Sequence, residues 1–123
     1  MNIVTGCGNL EAIRKDDVQK VLNDFAGQEL YIHLETTNGV YTGFRRPDEL
    51  SVGAFIRNGK IRYSRGKITG TGPFRVGLKM ENGWVYAEGL TDWEVDDKGR
   101  LLLAGHHKDG KLAIALELSK EPF

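Results

Sequence analysis

The fold is decided by the run FRVGLKMENGWVYA, which spans residues 74–87. At its centre lies Asn82-Gly83, a dipeptide typical of two-residue β-hairpin turns, because both central positions of a type I′ turn need a positive φ. The flanking residues alternate between apolar and polar side chains, as strands with one buried face do. The predicted core face carries Val76, Leu78, Met80, Val85 and Ala87. The run therefore predicts an antiparallel strand pair with one face turned to the core.

Similar dipeptides that end in glycine recur along the chain, which contains 16 glycines. The other turn candidates are Asn38-Gly39, Asn58-Gly59, Lys98-Gly99 and Asp109-Gly110. Stretches rich in β-branched and aromatic residues flank these pairs, so eight to ten short antiparallel strands are expected. The last hairpin carries the most apolar predicted face, formed by Leu101, Leu103, Leu112, Ile114, Leu116 and Leu118. A meander of this kind must cover one face and its edges, which predicts a mainly β (α+β) fold that closes into a distorted sandwich or barrel.

One helix is expected before the strands. Val18, Val21, Leu22 and Phe25 follow helical spacing, and Asp16 with Gln19 has the spacing of a capping box. Gly27 is placed to end the helix in the left-handed conformation. The glycine-dense run 66–73 is expected to form a loop or a bulge. We predict a single domain over residues 14–123, preceded by a flexible N-terminal extension over residues 1–13.

Composition narrows the class of protein. The chain has 123 residues, with 17 basic and 17 acidic residues and a formal net charge of zero. Affinity for phosphate backbones needs excess positive charge, so no nucleic-acid partner is expected. The single cysteine, Cys7, leaves no internal disulfide and no cysteine-based zinc cage, which fits a cytoplasmic location. The apolar runs are too short to span a membrane, and no cofactor or metal is expected.

Two sets of residues are candidates for function. Strand alternation places Tyr31, His33 and Glu35 on one face, and His106 could join them in a ligand pocket. Two histidines and a carboxylate have the composition of a metal centre, but the pattern favours ordinary outward-facing strand residues. The His-x-Glu spelling also occurs in zinc deaminases, but these require two cysteines that the chain lacks.

The second set follows a separation of charge. Seven basic and no acidic residues lie between Arg57 and Lys79, and six acidic and no basic residues lie between Glu81 and Asp97. The hairpin places Arg75, Lys79, Trp84 and Tyr86 on its polar side, which makes them a candidate interaction face. A basic strand pair with interleaved aromatic residues could bind an anion or single-stranded nucleic acid. The alternative is that the two segments neutralise each other across neighbouring strands.

Several segments read in order resemble the YojF-like family of small uncharacterised bacterial proteins. They are residues 16–25, Tyr31-Ile32-His33-Leu34-Glu35-Thr36-Thr37, residues 55–58, residues 72–79, Gly83-Trp84-Val85-Tyr86-Ala87-Glu88-Gly89-Leu90-Thr91, residues 101–106 and residues 110–114. The resemblance covers about residues 14–123 and implies a single mainly β domain with one N-terminal helix. It carries no catalytic residues over to this chain. It also implies an accessory role beside a zinc-dependent deacetylase of low-molecular-weight thiol synthesis.

These observations favour a non-enzymatic cytoplasmic binding or accessory module. The expected partners are a second copy, as a homodimer, and an enzyme of low-molecular-weight thiol metabolism. The alternative function is a small metal-dependent enzyme, or a binder of an anion or another small ligand, that uses Tyr31, His33, Glu35 and His106. The two hypotheses differ in whether those four side chains meet in one pocket.

Overall fold

The computed structural model describes residues 10–37 and 53–123. Within them the chain forms nine strands and one helix. In chain order the elements are β1 (Glu11–Ala12), α1 (Lys15–Phe25), β2 (Leu30–Thr37), β3 (Gly53–Ile61), β4 (Arg65–Thr69), β5 (Phe74–Met80), β6 (Gly83–Leu90), β7 (Asp92–Val95), β8 (Leu101–His106) and β9 (Leu112–Ser119).

The strands form two antiparallel sheets. The large sheet has the order β1-β7-β8-β9-β2-β3, and the small sheet has the order β4-β5-β6. Neither sheet closes on itself within the described ranges, so the mainly β prediction is confirmed in its distorted-sandwich form. The small sheet is a local meander placed in the chain between two edge-side strands of the large one.

The core lies between the two sheets and the helix. Val18, Leu22 and Phe25 of α1 are buried against apolar residues of both sheets. Tyr63 joins β3 to β4 and is fully buried, and its hydroxyl donates to the Leu22 carbonyl oxygen over 2.6 Å. Removal of these apolar side chains from water is the main driving force for the fold. Tyr63 thus connects the helix to the segment that links the two sheets.

Two hairpin predictions are confirmed in their faces. In the small sheet Val76 pairs with Ala87 and Leu78 with Val85, on the side that packs in the core. The turn between them lies one residue earlier than predicted, because Gly83 begins β6 and pairs with Met80. In the large sheet Leu101 pairs with Leu118 and Leu103 with Leu116, and all four are fully buried. Leu112 is an exception, because a register shift after Gly105 turns it to the opposite side, where it packs with Leu102 and Ala104.

The prediction of a hairpin turn at Asn58-Gly59 is wrong. Both residues lie inside β3, which continues through them to pair with β2. Asn58 has a φ of 57°, and the register shifts between Ile32 and His33, so the dipeptide forms a β-bulge. Asn and Gly suit a bulge for the reason that they suit a turn, namely their tolerance of a positive φ. Asn38-Gly39 lies outside the described residues.

The start of the helix also differs from the prediction. α1 begins at Lys15 with Arg14 at the N-cap, so Asp16 lies inside the first turn. Gln19 does not close a capping box. Its side-chain amide donates to the Gly66 carbonyl oxygen over 2.8 Å and accepts from the Ile68 amide over 3.0 Å, which fastens α1 to β4. The prediction for the other end holds, since Gly27 follows the helix with a φ of 81°.

Two segment boundaries need correction. Residues 66–69 were expected in a loop but belong to β4, because Arg65–Thr69 pairs with β5. The predicted extension over residues 1–13 is also too long. Glu11 and Ala12 pair with β7, and the Ile13 amide donates to the Thr91 carbonyl oxygen. Residues 1–9 lie outside the described residues.

Candidate functional site

The outer face of the small sheet gathers the cations of its three strands. Strand pairing places Arg65, Lys79 and Trp84 in one row, and Lys67, Gly77 and Tyr86 in the next. A third row contains Thr69, Arg75 and Glu88. We call these nine residues the basic–aromatic face. All of them except Gly77 are exposed, because alternation turns their neighbours Val76, Leu78 and Ala87 into the core.

The aromatic part of this face is an ordered stack. The rings of Trp84 and Tyr86 lie 5.4 Å apart at 4° to each other, and about half of each side chain is exposed. The Arg75 guanidinium lies 4.0 Å from the centre of the Tyr86 ring. Gly77 makes the arrangement possible, since a Cβ there would lie 2.9 Å from the Tyr86 ring. The stack therefore presents flat apolar surface and positive charge side by side.

The charge on this face is unbalanced. Three cations, Arg65, Lys67 and Arg75, line a groove of about 300 Å³ together with Trp84 and Tyr86, and a fourth cation, Lys79, lies in the strand row of Arg65. Among the described residues, Glu88 is the carboxylate closest to them, at 4.0 Å from Arg75, and it is largely exposed. Glu88 on the neighbouring strand therefore offsets the positive charge of Arg75 only weakly, because the pair is exposed to solvent.

The other candidate set lies on the outer face of the large sheet and is split. His33 is 1% exposed, its Nε2 lies 3.2 Å from a Glu35 carboxylate oxygen, and its Nδ1 lies 3.4 Å from an Arg57 guanidinium nitrogen. Because arginine can only donate, this geometry gives His33 a neutral ring with the proton on Nε2. Burial lowers the pKa of His33, which agrees with a neutral ring. His33 thus lies on the outer face but is covered by neighbouring side chains, among them Phe55 and Phe123.

Tyr31 and His106 do not complete a pocket with this pair. The Tyr31 ring lies 5.8 Å from the Lys60 ammonium. His106 lies on β8, which β9 separates from β2, and its Nδ1 is 3.7 Å from an Asp92 carboxylate oxygen. Within residues 10–37 and 53–123, no three histidine, cysteine, aspartate or glutamate side chains are grouped to hold a metal ion.

Sequence reasoning missed a buried carboxyl group beside His33. Glu117 pairs with His33 across β9 and β2 and is 1% exposed. One of its carboxyl oxygens has no hydrogen-bond partner in the described structure. Burial raises the pKa of Glu117 to about 7, although the positive charges of Arg100 and Arg57 oppose the shift. The signal in the sequence was a lone glutamate within the apolar run 112–118.

Comparison with known proteins fixes the family. The model of a family described as a protein of unknown function (DUF1806) matches residues 12–123. The chain belongs to this family. Its similarity to the uncharacterized protein YojF of Bacillus subtilis (strain 168) is 53% identity over 114 residues, which cover 93% of this chain and 98% of that protein. The crystal structure of Bacillus subtilis YojF superposes with a TM-score of 0.80 at 51% identity, over 94% of this chain and 97% of that one.

Membership of the DUF1806 family confirms the resemblance seen in the sequence. The descriptions of the family and of the relative name no activity. No helix among the described residues has the length and apolar character needed to cross a membrane. The basic–aromatic face presents exposed aromatic and cationic side chains that a ligand can contact.

Proposed function

We propose that this DUF1806 protein is a non-enzymatic cytoplasmic binding module, and that its basic–aromatic face binds an acidic segment of a partner protein. The observation that carries the proposal is the exposed Trp84–Tyr86 stack beside Arg75, set within a group of cations. Tryptophan, tyrosine and arginine are the residues that most often dominate the energetics of protein interfaces.

Ordered rings, exposed ring surface and positive charge each favour binding of a partner at this face. The two rings are held against each other before any partner arrives, so little side-chain freedom is lost on binding. Each ring still exposes about half of its surface, which a partner can remove from water. The cations of the same face would steer an acidic segment towards it, in spite of the zero net charge of the whole chain.

The spacing of the cations favours an extended polypeptide over a single small anion. Neighbouring strands are about 5 Å apart, and alternate residues of one strand are about 7 Å apart. Lys67, Arg75 and Lys79 occupy different rows of this grid. Alternate carboxylates of an extended acidic segment repeat at the same distance of about 7 Å. Such a segment can therefore contact cations of successive rows along its length, whereas one inorganic anion occupies a single place among them.

Charge also favours a partner of a different kind over a second copy at this face. A two-fold interface places the same patch of both copies together. Such an interface would set the four cations of one copy against those of the other, which costs energy. We infer that a homodimer would use another surface, and that the partner at this face is a different protein. The enzyme implied by the family resemblance is the first candidate.

The test is a titration followed by tryptophan fluorescence. Trp84 is exposed and Trp93 is 8% exposed, so a change on binding reports mainly on Trp84. A hexaglutamate peptide is the probe, with hexaglutamine and inorganic phosphate as comparison ligands. We expect saturable binding of hexaglutamate, weakened at least tenfold in the Lys67→Glu/Arg75→Glu variant and by a rise in salt from 50 to 300 mM.

The control is Lys20→Glu, which reverses one charge on the exposed side of α1, where the double variant reverses two. It should bind hexaglutamate within twofold of the parent. Equal binding by the double variant and the parent would refute the proposed face. Phosphate binding with no response to hexaglutamate would replace the protein partner by a small anion.

A further inference from the structure

Phe123 is held in a seat on the outer face of the large sheet. Its amide donates to the Asn58 side-chain oxygen over 2.8 Å, and its backbone oxygen lies 3.5 Å from the Asn58 side-chain nitrogen. Its ring centre lies 5.8 Å from the Arg57 guanidinium and 5.6 Å from that of Arg100. The His33 ring meets it edge-on at 6.1 Å. Residues of β2 and β3, together with Arg100 directly before β8, thus form one site for the Phe123 ring, which we call the seat.

The groups beside this seat are polar, which a seat for a plain apolar side chain would not need. His33 and Glu117 are each 1% exposed, and they face each other across β2 and β9. Glu117 keeps an unpartnered carboxyl oxygen there. Buried polar groups without partners cost free energy, so they are rare unless they serve a purpose.

The segment that fills the seat is lightly attached. Residues 120–123, which we call the strap, follow the last strand, and together with Lys98, Gly99 and Arg100 they line a cavity of about 420 Å³. Its Phe123 contacts are cation–π contacts and hydrogen bonds at a partly exposed site, each of which contributes little net stability. Opening of the strap would break these contacts and no strand pairing, because residues 120–123 lie beyond the end of β9.

The charges around the seat point to one class of ligand. Arg100 already pairs with Asp96 over 2.6 Å, which fixes its guanidinium beside the ring. Arg57 lies within 4.0 Å of none of the described carboxylates, and its side chain is exposed. One guanidinium is thus positioned for a ring, and the other remains able to form a charge-assisted pair with a carboxylate.

We propose that the strap covers a ligand site for an aromatic carboxylate. The ring of the ligand takes the place of Phe123 between Arg57 and Arg100, and its carboxylate pairs with Arg57. Phe123 then acts as a tethered competitor, so the affinity of the site depends on the fraction of molecules in which the strap is open. This site is separate from the basic–aromatic face, and neither proposal depends on the other.

The test uses 3-phenylpropionate as the probe and the full-length chain. Binding is followed by NMR of the His33 imidazole, with the signals of the other histidines as internal references. We expect Phe123→Ala to bind at least tenfold more tightly than the parent, because the competing ring is gone. Asn58→Gly should bind about fivefold more tightly, since glycine keeps the positive φ at position 58 while the hydrogen bonds to the strap are lost.

Two comparisons make the result decisive. Arg57→Gln in the Phe123→Ala background should lose at least tenfold in affinity, and the neutral analogue 3-phenylpropanol should bind at least tenfold more weakly than the acid. The proposal is overturned if Phe123→Ala binds no more tightly than the parent, or if the His33 signals do not move. Equal binding of acid and alcohol would also overturn it.

Discussion

Glu117→Gln should make the protein more stable at pH 8 and leave it nearly unchanged at pH 5. Glu117 is 1% exposed on β9, and its pKa is raised by burial from its ordinary value of 4.5 to about 7. Glutamine has nearly the same shape and carries no charge at any pH. The substitution therefore removes the cost of ionising a buried carboxyl group while it keeps the packing.

The magnitude follows from the difference in proton binding. Between pH 4.5 and 7 the folded chain keeps the Glu117 proton that the unfolded chain has released. The free energy of unfolding therefore falls as the pH rises through this window, by up to roughly 3 kcal/mol, since one pKa unit corresponds to about 1.4 kcal/mol. The amide of glutamine also needs partners, so we expect a net gain of about 2 kcal/mol for the variant at pH 8.

His33 acts in the opposite direction. Its pKa is lowered, so below its ordinary value of 6.5 the unfolded chain binds a proton that the folded chain does not. This contribution to stability is lost as the pH falls. The parent should accordingly lose stability towards acid through His33 and towards neutral pH through Glu117. The variant should keep only the first of these losses.

The assay is urea unfolding at pH 5, 6, 7 and 8, followed by the fluorescence of the buried Trp93. The control is Glu81→Gln, which removes an exposed carboxylate from the β5–β6 turn. The control should follow the parent at every pH to within about 0.5 kcal/mol. A constant difference between Glu117→Gln and the parent from pH 5 to pH 8 would refute the reasoning, because the effect would then be one of packing.

Three further substitutions test the fold and the basic–aromatic face. Gly77→Ala should push the Tyr86 ring out of its stack, because the new Cβ would lie 2.9 Å from it; near-UV circular dichroism should weaken, while stability falls by less than about 1 kcal/mol since the ring can swing into solvent. Gly105→Ala should cost about 3 kcal/mol in thermal unfolding, because its Cβ would overlap the rigid Gly89 carbonyl. Gln19→Ala should lower the free energy of unfolding in urea by about 2 kcal/mol, because two hydrogen bonds to β4 are lost. The control Gln28→Ala, which removes one exposed hydrogen bond, should lower it by less than about 0.5 kcal/mol.

The local parts of the fold could be predicted from the sequence. Alternation around Asn82-Gly83 predicted both faces of β5 and β6, because strand pairing across a short turn depends on neighbouring residues alone. Asn58-Gly59 was misinterpreted, because a positive φ suits a bulge inside a strand as well as a turn between strands. Only the position of β2 beside β3 distinguishes the two, and that pairing is a tertiary property.

The candidate sites could likewise be predicted where they depend on neighbouring residues, and not where they depend on distant ones. Arg75, Lys79, Trp84 and Tyr86 could be placed on one face from the hairpin pattern. The contribution of Lys67 to the groove required the pairing of β4 with β5, which glycines in residues 66–73 concealed. The surroundings of His33 depend on residues distant in the chain, from Arg57 to Phe123. Spacing in the sequence does not show such contacts.

The placement of the small sheet within the chain has a consequence for how the molecule assembles. Residues 65–90 contain three successive strands that pair only with chain neighbours, so this meander needs little loop closure to form. The centre of the large sheet instead joins β2 to β9, for example Ile32 to Leu118, and must wait until distant parts of the polypeptide meet. The surface that we assign to a partner protein is thus built on a stretch whose strand pairing does not have to wait for distant parts of the chain.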